Sequence, residues 1–340
     1  MGVTPRAARA AAAVAAFGLA GTLLSACEST PEDRDVVALL VSDAGSERYA
    51  QQDLPAFGAA MESACADCRQ IVRDAGGDAD RQRSQLDDVV AAGADVVVLN
   101  PVSAESGEEL VAAARVPVVA YDRLVPGADR FVGVDEVESA SGTADALRGM
   151  LPRGRSPVLV VSDGPGGLTA RVVRQLGPRV RVRATLPPDQ ASTARAWTAQ
   201  QLRSGGPVAA VVTASDETAG EIAAGVADAG VPVNARPLVT GHDGTLEGVR
   251  RLVTGTQDVT VHASRTEEAT AAAEIAARLA QGRRAPAAKD EVEGVPATLV
   301  PPTPVTLPTL TDTLVREGVY TTEQICEGAT QARCTSLGIR

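Results

Sequence analysis

From Val36 onward, short runs of Val, Leu, Ile and Ala alternate with segments of helical spacing. That alternation constrains the fold more than any other feature. "VVALLVSD", "RQIVRDA", "ADVVVLNP" and "VPVVAYD" read as strands. Between them "RYAQQDLPAFGAAMESAC", "DRQRSQLDDVVAAG" and "SAESGEELVAAAR" read as helices. Tyr49, Leu54, Phe57 and Met61 share one side of the first. Ser103 is the expected cap of the third, and Glu105 and Glu108 favour its positive end. Continuous Val-rich strands alternating with helices mean a parallel sheet covered on both faces. The pattern restarts at "SPVLVVSDG" and continues through "RVRATL", "PVAAVVTASD", "RPLVTGHD" and "QDVTVHAS" to the helix "TEEATAAAEIAARLAQG". The proline-dense "VPATLVPPTPVTLPTL" cannot be helical and reads as an extended crossing segment. The expected class is α/β, with two doubly wound parallel-sheet lobes around a cleft.

Several strands finish in polar residues: Ser42-Asp43, Asn100, Asp122-Arg123, Ser215-Asp216 and His242-Asp243. Ligands of open α/β sheets bind beyond the carboxyl ends of the strands, so these tips are candidate contacts. The alternative for each Asp is capping of the next helix. Arg123 fits that alternative poorly, because a cation at a helix start opposes the helix dipole.

The chain of 340 residues is long enough for two well-filled domains. Only 2% of it is aromatic, so its cores must be aliphatic. A net charge of −11 without a basic run disfavours nucleic acid and anionic membrane as partners. Arg6 and Arg9 precede "AAAVAAFGLAGTLL", an apolar stretch too short for a comfortable membrane span. "LLSAC" follows, and it resembles the lipobox of bacterial lipoproteins. That resemblance implies a signal peptide over residues 1–26 and lipid on Cys27, which would anchor the chain outside the cytoplasm. An ordinary secretory signal with a chance cysteine is the alternative. Residues 27–35 read as a tether.

Apart from Cys27, the cysteines are Cys65, Cys68, Cys326 and Cys334. In an oxidising compartment they suggest two disulfides, and the short loops "CADC" and "CEGATQARC" favour local pairs. Four thiolates on zinc are the alternative. There is no P-loop, no Gly-x-Ser-x-Gly elbow and no metal-spaced histidine pair, His242 and His262 being the only histidines. No catalysis, cofactor or metal is therefore expected. "DGPGG" lacks the lysine of a phosphate loop. His262 stands near an expected crossing, where ligand contact and packing are both open to it.

The stretches "AYDRLV", "FVGVDEVESASG", "TASDETAGEIAAGVADAG", "VTGHDGTLEGVRRLVTGTQDVTV" and "VPATLVPPTPVTLPTLTDTLVREGVYT" together resemble periplasmic xylose-binding proteins, the solute receptors of monosaccharide ABC transporters. The match runs from Val36 to about Thr322. It implies a type I periplasmic-binding-protein fold with three crossing strands, near Gly133-Val134, His262-Ala263 and Pro302-Thr303. It also implies an N-terminal lobe of residues 36–134 plus 264–302 and a C-terminal lobe of 135–263 plus 303–340. The implied ligand-binding set is Arg48, Tyr49, Asp122, Arg123, Asp135, Glu136, Asp216 and Asp243. Carboxylates accept from sugar hydroxyls, and a guanidinium donates to adjacent oxygens. The implied partners are a monosaccharide and an ABC permease, engaged by a monomer. A sensor presenting ligand to a membrane receptor is the alternative. A DNA-binding regulator is disfavoured by the export signal and by the absence of a helix-turn-helix. Departures from the family pattern lie in the second lobe. Glu136 and Ser215 stand where Asn is expected, Ala263 stands near the place of a cleft lysine, and no ring-stacking tryptophan is matched.

Overall fold

The computed structural model describes residues 34–45 and 49–339. β1 (Val36–Val41), α1 (Leu54–Ala64), β2 (Arg69–Asp74), α2 (Ala79–Ala91), β3 (Val96–Leu99), α3 (Ala104–Ala113), β4 (Val118–Tyr121) and β5 (Arg130–Val134) follow in order. They are succeeded by α4 (Glu136–Met150), β6 (Ser156–Val161), α5 (Leu168–Leu176), β7 (Val180–Leu186), α6 (Ala194–Ser204), β8 (Ala210–Val212), α7 (Asp216–Asp228) and β9 (Leu238–Val239). The remainder comprises α8 (Leu246–Thr254), β10 (Thr260–His262), α9 (Arg265–Ala280), β11 (Asp290–Val292), β12 (Val295–Val300), β13 (Thr303–Val305), α10 (Thr322–Ile325) and α11 (Gln331–Leu337).

β1, β3 and β4 are buried along their whole length, as a parallel sheet covered on both faces requires. Alternate residues feed two cores. Val37, Leu39 and Val41 pack with Phe57 and Met61 of α1 and the alanine-rich face of α9. Val36, Ala38 and Leu40 pack with Leu86 and Val89 of α2 and Leu110 of α3. The sheet order is β11-β12-β5-β4-β3-β1-β2, parallel except for β11, which pairs antiparallel with β12. A second sheet runs β7-β6-β8-β9, all parallel. It too is covered on both faces, by α4 and α5 on one side and by α6 and α7 on the other. Trp197 of α6 packs at the margin of that latter core. A bridge from Thr240 to Val259 continues this sheet toward β10, which pairs antiparallel with β13. This is the type I periplasmic-binding-protein fold.

The chain passes between the sheets at three points: from β5 into α4, from β10 into α9, and from β12 into β13. Caps set where the helices begin. Ser103 accepts from the Ser106 amide at 3.1 Å, and Ser215 and Ser264 cap α7 and α9 in the same way. A turn of π-helix at Tyr49–Asp53 precedes α1. Cys65 and Cys68 stand at disulfide distance, with Cα atoms 5.3 Å apart, and so do Cys326 and Cys334 at 5.8 Å. The two pairs belong to different cores, so a four-thiolate centre is not formed.

α4 lies close against β13. A Cβ built on Gly142 would overlap the Pro304 ring, so only glycine lets helix and strand approach this far. Gly142→Val is expected to destabilise the protein by about 1–3 kcal/mol, the usual cost of overpacking. Urea unfolding checks this, and an unchanged midpoint would show that β13 yields freely.

Candidate functional site

Parallel pairing puts the carboxyl ends of β1, β3 and β4 at one edge, and their polar tips meet there. Asn100, after β3, is 1% exposed. Its Oδ1 accepts from Ser42 Oγ at 2.5 Å, and its Nδ2 donates to the Tyr121 carbonyl at 3.2 Å and to Asp122 Oδ2 at 3.3 Å. Gln82 of α2, also buried, donates to the Asn100 carbonyl at 2.8 Å. Asp122 is thus held from below by a buried polar ladder.

Asp122 has φ 65° and Asp243, at the tip following β9, has φ 87°. A positive φ is uncommon outside glycine, although Asp tolerates it better than most residues. Such strained positions cluster where a side chain must be aimed. Both carboxylates are aimed at the same group, Arg265, the first residue of α9. Arg265 Nη1 donates to Asp122 Oδ1 at 3.2 Å and to Glu268 Oε2 at 2.8 Å. Its Nη2 lies 3.7 Å from Asp243 Oδ1. Arg265 and Glu268 are buried, while the Asp243 side chain is 42% exposed. Asp243 is also met by His242 Nδ1 at 3.1 Å.

Arg265 was not among the residues singled out by sequence. The signal was available, since a guanidinium in the first turn of a helix opposes the dipole there as much as Arg123 would. What could not be read is its pairing with two acids far away in the chain.

The remaining sequence candidates have separate surroundings. Arg123 is exposed and donates to the Val102 carbonyl at 2.8 Å and, at 3.4 Å, to that of Pro101. It fastens the loop after β3 and does not pair with Asp122. Tyr49 is buried in the π-helical turn, within the core formed by α1 and α9. Arg48 and Cys27 lie outside the described residues. Asp135 caps α4, accepting from the amides of Val137 and Glu138 at 2.9 Å each. Glu136 is largely exposed, 3.9 Å from Arg171. Asp216 is fully buried. It accepts from Gln257 Nε2 at 2.6 Å, from the Thr245 amide at 2.8 Å, and from the hydroxyls of Thr245 and Thr260 at 3.0 Å each. Gly241 and Gly248 leave the room its carboxylate needs, for a Cβ at either would overlap it. Burial pushes the Asp216 carboxyl above the ordinary carboxylate value, against the pull of its hydrogen bonds from Gln257, Thr260 and Thr245; the nearby Asp243 charge adds to the rise. The structure therefore brings Asp122 and Asp243 together at Arg265, with Asp216 buried close to Asp243, while Asp135 caps α4 and Glu136 lies beside Arg171.

The start of α5 offers no anion site. Asp163 of "DGPGG" accepts from the amides of Leu168 and Thr169, at 2.6 and 3.2 Å, and fills that position itself. Asp35 lies with Cys65 and Cys68 within 4.8 Å, but sulfurs joined as a disulfide are poor metal ligands.

Elements of both sheets thus meet at one cluster, Asp122 and Asp243 around the buried Arg265. The periplasmic binding protein domain matches residues 37–284, and the chain belongs to that family. It is 27% identical over 309 residues to the D-xylose-binding periplasmic protein of Escherichia coli K12, covering 84% of this chain and 90% of the relative. The protein of the same description from Haemophilus influenzae is 26% identical, covering 89% and 96%. Among solved structures, a carbohydrate transporter solute-binding protein from Chloroflexus aurantiacus in complex with D-glucose superposes with a TM-score of 0.72. Its sequence identity is 19%, over 86% of this chain and 98% of that one. An ABC transporter solute-binding protein from Bacillus halodurans with bound myo-inositol gives 0.64, at 21% identity, covering 86% and 100%.

His262 on β10 is 7% exposed and stands near Arg265. Burial, and then the Arg265 charge, lower its pKa from 6.5 to about 4. The folded protein keeps it neutral down to about pH 4, whereas the unfolded chain protonates it near 6.5. Between those values the unfolded state binds more protons, so stability falls as pH drops through this window and levels off below it. The His262 contribution is about 3 kcal/mol. Replacing it with Gln is expected to flatten the stability–pH curve between about pH 6.5 and 4, as followed by urea unfolding across that range. An unaltered slope would contradict the assignment.

Proposed function

We propose that this chain is an extracytoplasmic, lipid-anchored receptor that captures a monosaccharide, xylose or a related sugar, by lobe closure and delivers it to an ABC permease. The observation that carries the reading is the meeting of Asp122 and Asp243, one from the edge of each sheet, at Arg265. Carboxylates accept from sugar hydroxyls and a guanidinium donates to sugar oxygens, so this cluster has the chemistry to bind a polyol. The family, and the relatives described as D-xylose-binding, support the same class of ligand. Under this reading residues 36–134 plus 264–302 form one lobe, and 135–263 plus 303–340 the other. Residues 1–26 are removed, Cys27 carries lipid, and residues 27–35 act as a tether. The protein works as a monomer, without cofactor and without catalysis. Among the described residues no helix is long and apolar enough to cross a membrane. Attachment on this reading is by lipid alone.

A thermal-shift screen with D-xylose, D-glucose and myo-inositol is expected to raise the melting temperature for at least one of them, because a ligand that binds only the folded state stabilises it. Asp122→Ala should then weaken that ligand by about ten- to a hundredfold in calorimetry, the worth of a hydrogen bond to a charged group. Unchanged affinity would make Asp122 scaffold only. Cys27→Ala should abolish incorporation of a labelled fatty acid, and retained label would place the anchor elsewhere.

A further inference from the structure

The Arg265 cluster joins elements of the two sheets. Arg265 belongs to the first sheet's side, since α9 packs in the core of β1, β3 and β4. It is fixed there by Glu268 at 2.8 Å and Asp122 at 3.2 Å. Asp243 belongs to the other side. Its turn follows β9 and is pinned there by two bonds, the Gly244 amide to Thr260 Oγ1 at 3.1 Å and Tyr320 Oη to the Gly244 carbonyl at 3.0 Å. His242 Nδ1 at 3.1 Å and the positive φ aim the Asp243 carboxylate toward Arg265. Both members of the 3.7 Å pair are thus oriented before they meet. An ordinary ion pair loses much of its attraction to the side-chain freedom it must freeze, and this one has little left to freeze.

We infer that the Arg265–Asp243 pair is an internal latch that holds the two lobes together in the ligand-free protein. Opening of the pair admits a ligand, which takes Asp243 over from Arg265 as the lobes close on it. The latch itself holds whatever the ligand is; only the exchange with ligand rests on the receptor reading. Because Asp243 is 42% exposed, the pair is open to screening and its strength falls with salt.

Small-angle X-ray scattering of the ligand-free protein across a salt series tests the latch. The wild type is expected to be compact at low salt and to expand as salt rises. Asp243→Asn removes the charge at a partly exposed position and should give the larger radius of gyration already at low salt, with no further response. The closed-to-open ratio should fall about fivefold, as suits a partly exposed pair. Arg265→Gln should behave alike, and where loss of the Glu268 partner costs folding, Asp243→Asn and Arg265→Lys still report. Arg195→Gln breaks an exposed pair with Asp228 that lies wholly within the second lobe, and should leave the curve unchanged. An Asp243→Asn protein as compact as wild type at every salt concentration would overturn the latch. Failure of every sugar to bind, with the scattering as expected, would instead count against the receptor reading alone.

Discussion

A strand buried on both faces can carry polar side chains only where it ends, because an unpaired polar group inside costs several kcal/mol. Parallel pairing then brings all the ends of one kind to a single edge. The rest of this molecule depends on that constraint. Asn100, Asp122 and Ser42 meet because β1, β3 and β4 run the same way with their interiors closed to polar groups. Asp243 can meet them because the chain crosses between the sheets beside those edges and starts α9 with an arginine at the second crossing.

The acids that look alike in sequence take different roles once the backbone is in place. Asp135 and Asp163 are consumed by helix starts. Asp216 gathers four donors and shuts itself away from solvent, a role suited to a group that only accepts hydrogen bonds. Asp122 and Asp243 instead take a positive φ, and their carboxylates meet Arg265.

Most of the fold was legible because each strand is a run of aliphatic residues bounded by a cap or by Gly and Pro, and each helix repeats its apolar face. β9 is shorter than "RPLVTGHD" suggests, and β11, "DEV", has too few apolar residues to stand out. The π-helical turn at Tyr49 was equally hidden. The site was legible as a set of strand tips but not as a geometry. A backbone φ at Asp122, the burial of Asp216 and the reach of Arg265 all follow from tertiary packing. The hydrogen bond joining Arg265 to Asp122 spans 143 positions, a separation at which local pattern carries no information. Arg123, which local pattern did flag, turned out to fasten a neighbouring loop.

The first sheet is not made from the first part of the chain alone. β12 pairs with β5 in register from Ala297↔Phe131 to Val300↔Val134, and α9 covers a face of the same sheet. Until those late segments have been synthesised, β5 presents an unpaired edge and Val37, Leu39 and Val41 lack part of their cover. The early lobe therefore cannot mature before the late one has been made. Such long-range closure slows folding and keeps a nascent chain open, so a truncation anywhere before Val300 leaves the first sheet without its full edge and cover.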